Sequence, residues 1–289
     1  MYQQIANNKR RTVVLLVAFL ALLWGFAYIM SRVYNPGLLF LIGLFSLSYA
    51  IFSYFAGAKM ALAVNGAKRI SKKDDPRLWR TVENLAITEG LPMPKVYIMD
   101  DPAPNAFATG RKPDKSAVCA TTGLLKMMND NELEGVIAHE LGHIKNYDMR
   151  VNTIAFALVG IISMIGDLFW HISFWGGGEK RENNNQLFAV LSIVAVILAP
   201  IAATLLQLAI SRRREYLADA TGALTTRYPE GLASALEKIG KFGSATKRQN
   251  TATAHMFFAN PLRGSTILGL FSTHPPVAAR IKALREMKL

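Results

Sequence analysis

Residues 129–148 read NDNELEGVIAHELGHIKNYD, and the interpretation of the whole chain begins from this stretch. Its apolar residues recur at the spacing of one helix face: Leu133, Val136, Ile137, Leu141 and Ile144. We therefore predict a helix that begins near Asp130 or Asn131. Asn131 and Glu134 have the spacing of a capping box, which predicts the same starting point.

Two histidines and a glutamate lie near the end of this predicted helix. His139 and His143 are four residues apart, so both imidazoles project from the same helix face and can reach one metal ion. This H-E-x-x-H spacing is typical of a zinc site in which the intervening Glu140 removes a proton from the attacking water. We predict one Zn²⁺ per chain; an unrelated helix with two surface histidines is the alternative.

A third ligand must come from elsewhere, because catalytic zinc usually has three protein ligands and one position open to water. Residues 214–219 read REYLAD and supply Glu215, which we predict to be that ligand. Asp219 lies one helical turn further on and could accept the free N–H of a ligand histidine. The alternative is that these charges only mark the end of a membrane span.

Composition indicates membrane spans together with a soluble part. The 289 residues are 51% hydrophobic, yet 18% are charged, and the mean hydropathy is +0.22. A span needs about 20 apolar residues, and we predict four: Val13–Met30, Leu38–Phe55, Val151–Trp175 and Leu187–Ile210. Asp167 and His171 fall in the third, so a hairpin that enters and returns on one side is also considered for the second pair.

The net charge is +13, and the positions of the basic residues indicate the orientation of the chain in the membrane. Lys and Arg gather beside the apolar runs and do not form one basic face, which argues against nucleic acid as a partner. The positive-inside rule predicts a cytoplasmic location for both termini and for the region between the second and third spans. The single cysteine, Cys119, excludes an intrachain disulfide and is predicted to lie in the core.

We therefore predict a mainly α protein with a small β-sheet. It is an integral membrane protein with about four transmembrane helices and a zincin-like cytosolic catalytic domain. The predicted regions are 1–56, a transmembrane hairpin; 57–150, a cytosolic catalytic region; 151–210, a second hairpin; and 211–289, a cytosolic region that completes the zinc site. In the catalytic region we predict a helix at Asp75–Thr88 and strands at Pro94–Met99, Ala106–Thr109 and Ser116–Thr121.

Four segments carry a resemblance to a known family: PNAFATG at 104–110, HELGH at 139–143, EYLAD at 215–219, and STHPP at 272–276 followed by Arg280. With them the sequence resembles the HtpX branch of the zinc peptidase family that also contains the CAAX prenyl proteases. The resemblance implies an endopeptidase of the bacterial inner membrane that cleaves misfolded or damaged membrane proteins under stress. It also implies the lipid bilayer as surroundings and membrane quality-control proteases or chaperones as candidate partners.

The resemblance also implies roles for residues that spacing alone does not assign. His274 and Arg280 would lie near the scissile carbonyl oxygen and stabilise the oxyanion; a helix-start role for His274 is the alternative. Asn105 would face the substrate backbone, or it could serve only as a turn residue. A CAAX-type processing peptidase and a non-catalytic membrane scaffold are the rival functions. The first needs more spans, and Glu140 beside an open metal position argues against the second.

Overall fold

The computed structural model describes residues 2–33, 36–158, 212–242, 246, 256–259 and 275–287. Its helices are α1 (Tyr2–Val33), α2 (Gly37–Val64), α3 (Pro76–Thr88), α4 (Thr122–Met127), α5 (Asp130–Lys145), α6 (148–158), α7 (Arg212–Thr226), α8 (Pro229–Phe242) and α9 (Val277–Arg285). The strands are β1 (Lys68–Arg69), β2 (Lys95–Met99), β3 (Ala106–Gly110) and β4 (Ser116–Thr121). The described residues are thus mainly helical with one small sheet, as predicted.

The sheet has the order β1-β2-β4-β3 and is mixed. β2 and β4 are parallel, whereas β1 with β2 and β3 with β4 are antiparallel. The three predicted strands are confirmed; β1 was not predicted, because two exposed basic residues give no alternating pattern. Cys119 on β4 is opposite Phe107 on β3 and is buried, which confirms its place in the core.

The start of α5 is set by a capping box that differs from the predicted one. The side chain of Asn129 accepts a hydrogen bond from the Glu132 N–H, and Glu132 accepts one from the Asn129 N–H. The assignment to Asn131 and Glu134 was wrong, since both pairs have the same spacing and only the observed helix start selects between them. Ser234 and Lys238 of α8 also donate to Glu132, which fixes this end of the helix.

Helix α5 lies at the centre of the main hydrophobic core. The predicted apolar face is confirmed, because its members are fully buried: Leu133, Val136, Ile137, Leu141 and Ile144. They belong to a core that also includes residues of α3, the sheet, α8 and α9. His139 and Glu140 are buried as well. The helix that carries the predicted ligands therefore has little contact with solvent on any side.

Helices α1 and α2 contain the first two predicted spans, and α2 continues beyond Phe55 to Val64. In the described part of the chain, one helix, Leu39–Val64, is long and apolar enough to cross a membrane. α2 contacts α6 through a hydrogen bond from the Tyr49 hydroxyl to the Ala157 carbonyl. Apart from 151–158, the predicted third and fourth spans, with Asp167 and His171, lie outside the described residues.

Helices α5 and α7 come into backbone contact at Gly222. A Cβ atom added there would lie 2.9 Å from the His139 backbone nitrogen, closer than real side chains allow. One turn away, Gly142 of α5 faces Ala218 of α7. Small residues on both helices thus let the two backbones approach, and this approach brings α7 alongside the histidines.

We expect Gly222→Ala to lower the free energy of unfolding by about 1–3 kcal/mol, the usual cost of overpacking, because its methyl group must push α7 away from α5. The same displacement should weaken zinc binding. Gly240→Ala is the matched control, since its Cβ would meet Val277 Cγ1 at an ordinary 3.5 Å. Thermal denaturation and zinc titration in detergent measure the stability and zinc affinity of both variants. Equal stability of the two would argue against the close contact between α5 and α7 at Gly222.

Candidate metal centre and active site

Three predicted ligand side chains meet in one buried cluster. His139 and His143 project from α5, and Glu215 projects from the first turn of α7. The Nε2 atoms of His139 and His143 are 3.1 Å apart. Glu215 Oε2 lies 3.8 Å from His139 Nε2, and Glu215 Oε1 lies 3.5 Å from His143 Nε2. The three residues form a group that could hold a metal ion, as the sequence predicts.

The spacing of these atoms fits a zinc ion. Two ligand atoms each about 2.0–2.1 Å from zinc, at the tetrahedral angle, lie about 3.3 Å from each other. The separations of 3.1, 3.5 and 3.8 Å bracket this value. Two imidazole nitrogens and one carboxylate are also a donor set that catalytic zinc sites use. His139, His143 and Glu215 can therefore hold zinc and leave a fourth position open.

Each histidine is oriented by a carboxylate on its other ring nitrogen. His139 Nδ1 lies 2.9 Å from Asp219 Oδ1, the contact that the sequence predicts. His143 Nδ1 lies 3.2 Å from Asp148 Oδ2, and Asp148 was not predicted. A carboxylate at Nδ1 fixes the tautomer that leaves Nε2 free to bind a metal. Both Nε2 atoms are consequently presented to the same point.

Arg280 of α9 lies at the same centre, almost fully buried. It donates through Nε and Nη2 to both oxygens of Asp219, at 2.8 and 2.6 Å. Its Nη1 is 3.7 Å from Glu215 Oε2 and 3.5 Å from the Phe258 carbonyl oxygen. The guanidinium therefore holds Asp219 in place beside His139. Its predicted contact with the substrate oxygen stays a prediction.

Burial and neighbouring charges shift the ionisation of these groups. Burial raises the pKa of Glu140 to about 7; nearby His143 opposes this shift and Glu215 adds to it. Burial lowers the pKa of His139 to about 4. Burial also acts to lower the pKa of His143, but the hydrogen bond to Asp148 and the charge of Glu215 outweigh it and raise that pKa to about 9. A metal ion must displace this proton when it binds.

The charges of the site also favour a divalent cation. Among the described residues, the buried charged groups of the cluster are Glu140, Asp148, Glu215 and Asp219 on the acidic side and Arg214 and Arg280 on the basic side. With neutral histidines and an ionised Glu140, two negative charges are in excess. Buried charges are costly unless they are paired or bind metal. One Zn²⁺ would neutralise this excess.

The free edge of β3 is covered by residues 256–259. Phe257 forms an antiparallel bridge with Phe107, and the Phe258 N–H donates to the Ala106 carbonyl at 2.8 Å. The Asn105 side chain donates to the Ala259 carbonyl at 2.8 Å and accepts from the Ala259 N–H at 3.0 Å. Asn105 thus bonds the backbone of another segment of this chain, in the manner predicted for substrate.

Phe258 connects this segment with the metal ligands. Its ring centroid is 5.0 Å from that of His139, in an edge-to-face arrangement, and the Arg280 guanidinium lies 4.9 Å from the Phe258 ring centroid. Phe258 is almost fully buried. The segment therefore covers one side of the cluster with an aromatic ring.

The structure brings together most of the predicted site residues. Glu140, Arg280 and Asp219 surround the three ligands, and Asn105 immediately precedes β3; His274 lies outside the described residues. Asp148, Arg214 and Phe258 were not predicted for the site. For Asp148 and Arg214 the sequence indicates a role only through their positions: Asp148 is the first acidic residue after the H-E-x-x-H helix, and Arg214 directly precedes Glu215.

Comparison with known proteins gives a consistent result. Residues 72–288 match Peptidase family M48. The chain is 50% identical over 287 residues to a Protease HtpX homolog from Tropheryma whipplei, covering 99% of this chain and 98% of that protein. It is 45% identical over 291 residues to a Protease HtpX homolog from Dictyoglomus turgidum, covering 99% of this chain and 94% of that protein.

A solved structure has a similar fold. The crystal structure of S. mikatae Ste24p matches with a TM-score of 0.53 and 20% identity, covering 98% of this chain and 67% of that chain. The family match includes all three candidate ligands and Glu140. The chain therefore belongs to peptidase family M48 and is a metalloprotease, a hydrolase of peptide bonds.

Proposed function

We propose that this chain is a zinc-dependent endopeptidase of the bacterial inner membrane that degrades misfolded or damaged membrane proteins as part of the response to stress. One observation carries the catalytic part of the proposal. The cluster of His139, His143 and Glu215 has the spacing of zinc ligands, and Glu140, with a pKa raised to about 7, lies next to it on the helix. A purely structural metal site has no use for such a carboxylate.

The chain supplies the proton transfers of peptide hydrolysis. When bound, a zinc ion polarises a carbonyl group and makes water acidic enough to lose a proton near neutral pH. Glu140 accepts the proton of the attacking water and returns it to the leaving amine. A backbone hydrogen bond from Ala108 of β3 favours the ionised form of Glu140, against the effect of burial.

The edge of β3 provides a place for the substrate. An extended peptide that replaced residues 256–259 would pair with the Ala106 carbonyl and with the Asn105 amide, in the way that Phe258 and Ala259 do here. The main chain of the peptide would carry most of this recognition, so cleavage should be broad in sequence. Residues 256–259 must leave the edge before such a peptide binds.

Arg280 and His274 are proposed to act on the oxyanion. Arg280 Nη1 already lies 3.5 Å from a backbone carbonyl, that of Phe258, which supports a contact with the carbonyl of a peptide in that position. His274 follows from family resemblance alone. The competing function, a CAAX-type processing peptidase, would require a lipid-modified C-terminus in its substrate. Cleavage of unmodified unfolded proteins at internal sites separates the two.

Membrane placement rests on the apolar helices and the distribution of charge. We propose a multi-pass arrangement in which the Leu39–Val64 helix spans the bilayer and the metal centre faces the cytoplasm. Between Leu39 and Phe55 the exposed large side chains of α2 are apolar, as a lipid-facing surface requires: Phe40, Leu41, Leu44, Phe45, Leu47, Ile51, Phe52 and Phe55.

Two variants should separate metal binding from proton transfer. Glu215→Gln should lose most of its zinc, because an amide is a weak ligand. Glu140→Gln should retain one zinc per chain and lose nearly all cleavage of an unfolded reporter, because an amide cannot carry a proton. Metal analysis and reporter cleavage in detergent measure both, with Glu237→Gln, at a partly exposed glutamate of α8, as the matched substitution. Full zinc and activity in Glu215→Gln would remove it from the ligand set.

A reversible disulfide should test whether the substrate replaces residues 256–259. Phe107 and Phe257 are partners in an antiparallel bridge, a separation that a disulfide can span. In a Cys119→Ala background, Phe107→Cys with Phe257→Cys should be inactive when oxidised and regain activity when reduced. The single variant Phe257→Cys, taken through the same cycle, is the control. Equal cleavage by both forms, with the disulfide verified by mass spectrometry, would exclude displacement of this segment.

The raised pKa of Glu140 predicts a pH-dependent stability of the metal-free protein. The folded state holds this proton up to about pH 7, whereas an unfolded glutamate loses it near 4.5. The stability that the group contributes is therefore complete below about pH 4.5 and is lost as the pH rises through 7. Relative to the native chain, Glu140→Gln should gain up to about 3 kcal/mol across this range. If the difference in free energy of unfolding between Glu140→Gln and the native chain stayed constant from pH 4.5 to 7, the raised pKa of Glu140 would be contradicted.

A further inference from the structure

The junction between α5 and α6 contains the carboxylate that orients His143. α5 ends at Lys145, and Tyr147 adopts a left-handed conformation with φ of 62°, which turns the chain into α6. The turn places Asp148, which is 1% exposed, so that its Oδ2 atom lies 3.2 Å from His143 Nδ1. The orientation of this metal ligand therefore depends on what holds Asp148.

Asp148 is held by a residue far away in the sequence. Asn8 lies near the beginning of α1, 140 residues before Asp148, and its side chain is almost fully buried. Its Nδ2 donates to Asp148 Oδ1 at 2.7 Å and to the Asn146 carbonyl at 2.8 Å. Beside it, the Lys9 ammonium lies 5.2 Å from the Tyr147 ring centroid. The start of α1 thus contacts all three residues between α5 and the first turn of α6: Asn146, Tyr147 and Asp148.

The two oxygens of Asp148 have different partners. Oδ2 serves His143, whereas Oδ1 accepts from Asn8 and lies 3.5 Å from Arg214 Nη1. A carboxylate bonded at both oxygens cannot rotate without breaking one of the contacts. Asn8 supplies the shorter contact to Oδ1 and adds no charge. Arg214 directly precedes Glu215, so Asp148 also lies between α5, which carries His143, and α7, which carries Glu215.

We propose that Asn8 is a positioning residue for the metal centre and acts through Asp148 on His143. By bonding both Asp148 and Asn146, it fixes the carboxylate relative to the end of α5, and thereby fixes the imidazole plane. The first helix is then part of the zinc site as well as a membrane element. This inference rests on the zinc site of the proposed function, which it extends by a residue without any contact to the metal or the substrate.

Zinc affinity measured on the full-length chain in detergent tests the role of Asn8. The dissociation constant is obtained by competition with a chromophoric chelator. Removing a direct partner of a ligand histidine typically costs about 10–100-fold in metal affinity. We expect Asn8→Ala, one bond further out, to weaken zinc binding by up to about tenfold. Thr12→Ala is the matched control, since Thr12 is buried one turn further along α1 and, within the part of the chain that the structure describes, its hydroxyl bonds only the Asn8 carbonyl. It should bind zinc as the native chain does.

A double-mutant cycle separates positioning from a general effect on folding. If Asn8 acts through Asp148, Asn8→Ala should cause no further loss of affinity in an Asp148→Ala background. Asn8→Asp, which keeps the shape but removes the donor, should weaken zinc binding at least as much as Asn8→Ala. Thermal denaturation of the metal-free variants verifies folding.

Three results would overturn the inference: native affinity in folded Asn8→Ala and Asn8→Asp, equal losses with and without Asp148, or failure of both Asn8 variants to fold, which would make Asn8 a folding residue. Absence of zinc binding by the native chain would instead refute the proposed function. Native affinity in the Asn8 variants, with zinc bound normally by the native chain, would leave that function intact.

Discussion

The backbone contact between α5 and α7 at Gly222 is the constraint on which the metal centre depends. Packed helices usually lie about 8–10 Å apart, at a distance set by the side chains between them. Here a Cβ at Gly222 would nearly touch the His139 backbone nitrogen, so almost nothing separates the two helices. A single carboxylate of α7 can then stand within 4 Å of imidazoles on two successive turns of α5. A wider spacing of the helices, such as a side chain at Gly222 would require, would move Glu215 away from the two imidazoles.

The parts of the site that could be predicted are those encoded by local spacing. His139, Glu140 and His143 follow from a five-residue motif, and the periodic apolar residues around them correctly predict a buried helix. Glu215 required a further step, the chemical need for a third ligand, and the structure places it beside both histidines. The capping box failed because Asn129 with Glu132 and Asn131 with Glu134 satisfy the same rule. Periodicity locates a helix, but it cannot choose between overlapping caps.

Other parts depend on tertiary contacts that local patterns do not contain. Asp148 orients His143 only because Tyr147 takes up a left-handed conformation after the helix ends. The pairing of residues 256–259 with β3 links segments about 150 positions apart, and no alternating pattern marks those four residues as a strand. Asn8 lies beside an apolar run, where its sequence context indicates only a membrane boundary. Each of these residues acquires its role from a neighbour that folding supplies.

The pair of Asp219 and Arg280 has a consequence for biosynthesis. The arginine follows the aspartate by 61 residues, and a ribosome adds about 5–20 residues per second. For roughly 3–12 seconds the nascent chain therefore contains both ligand histidines, Glu215 and Asp219, but lacks the cation that neutralises Asp219 in the finished site. A new polypeptide that could bind zinc fully at that stage would be a protease before its own fold was complete. The contact by which Arg280 holds Asp219 beside His139 can form only after α9 has been made.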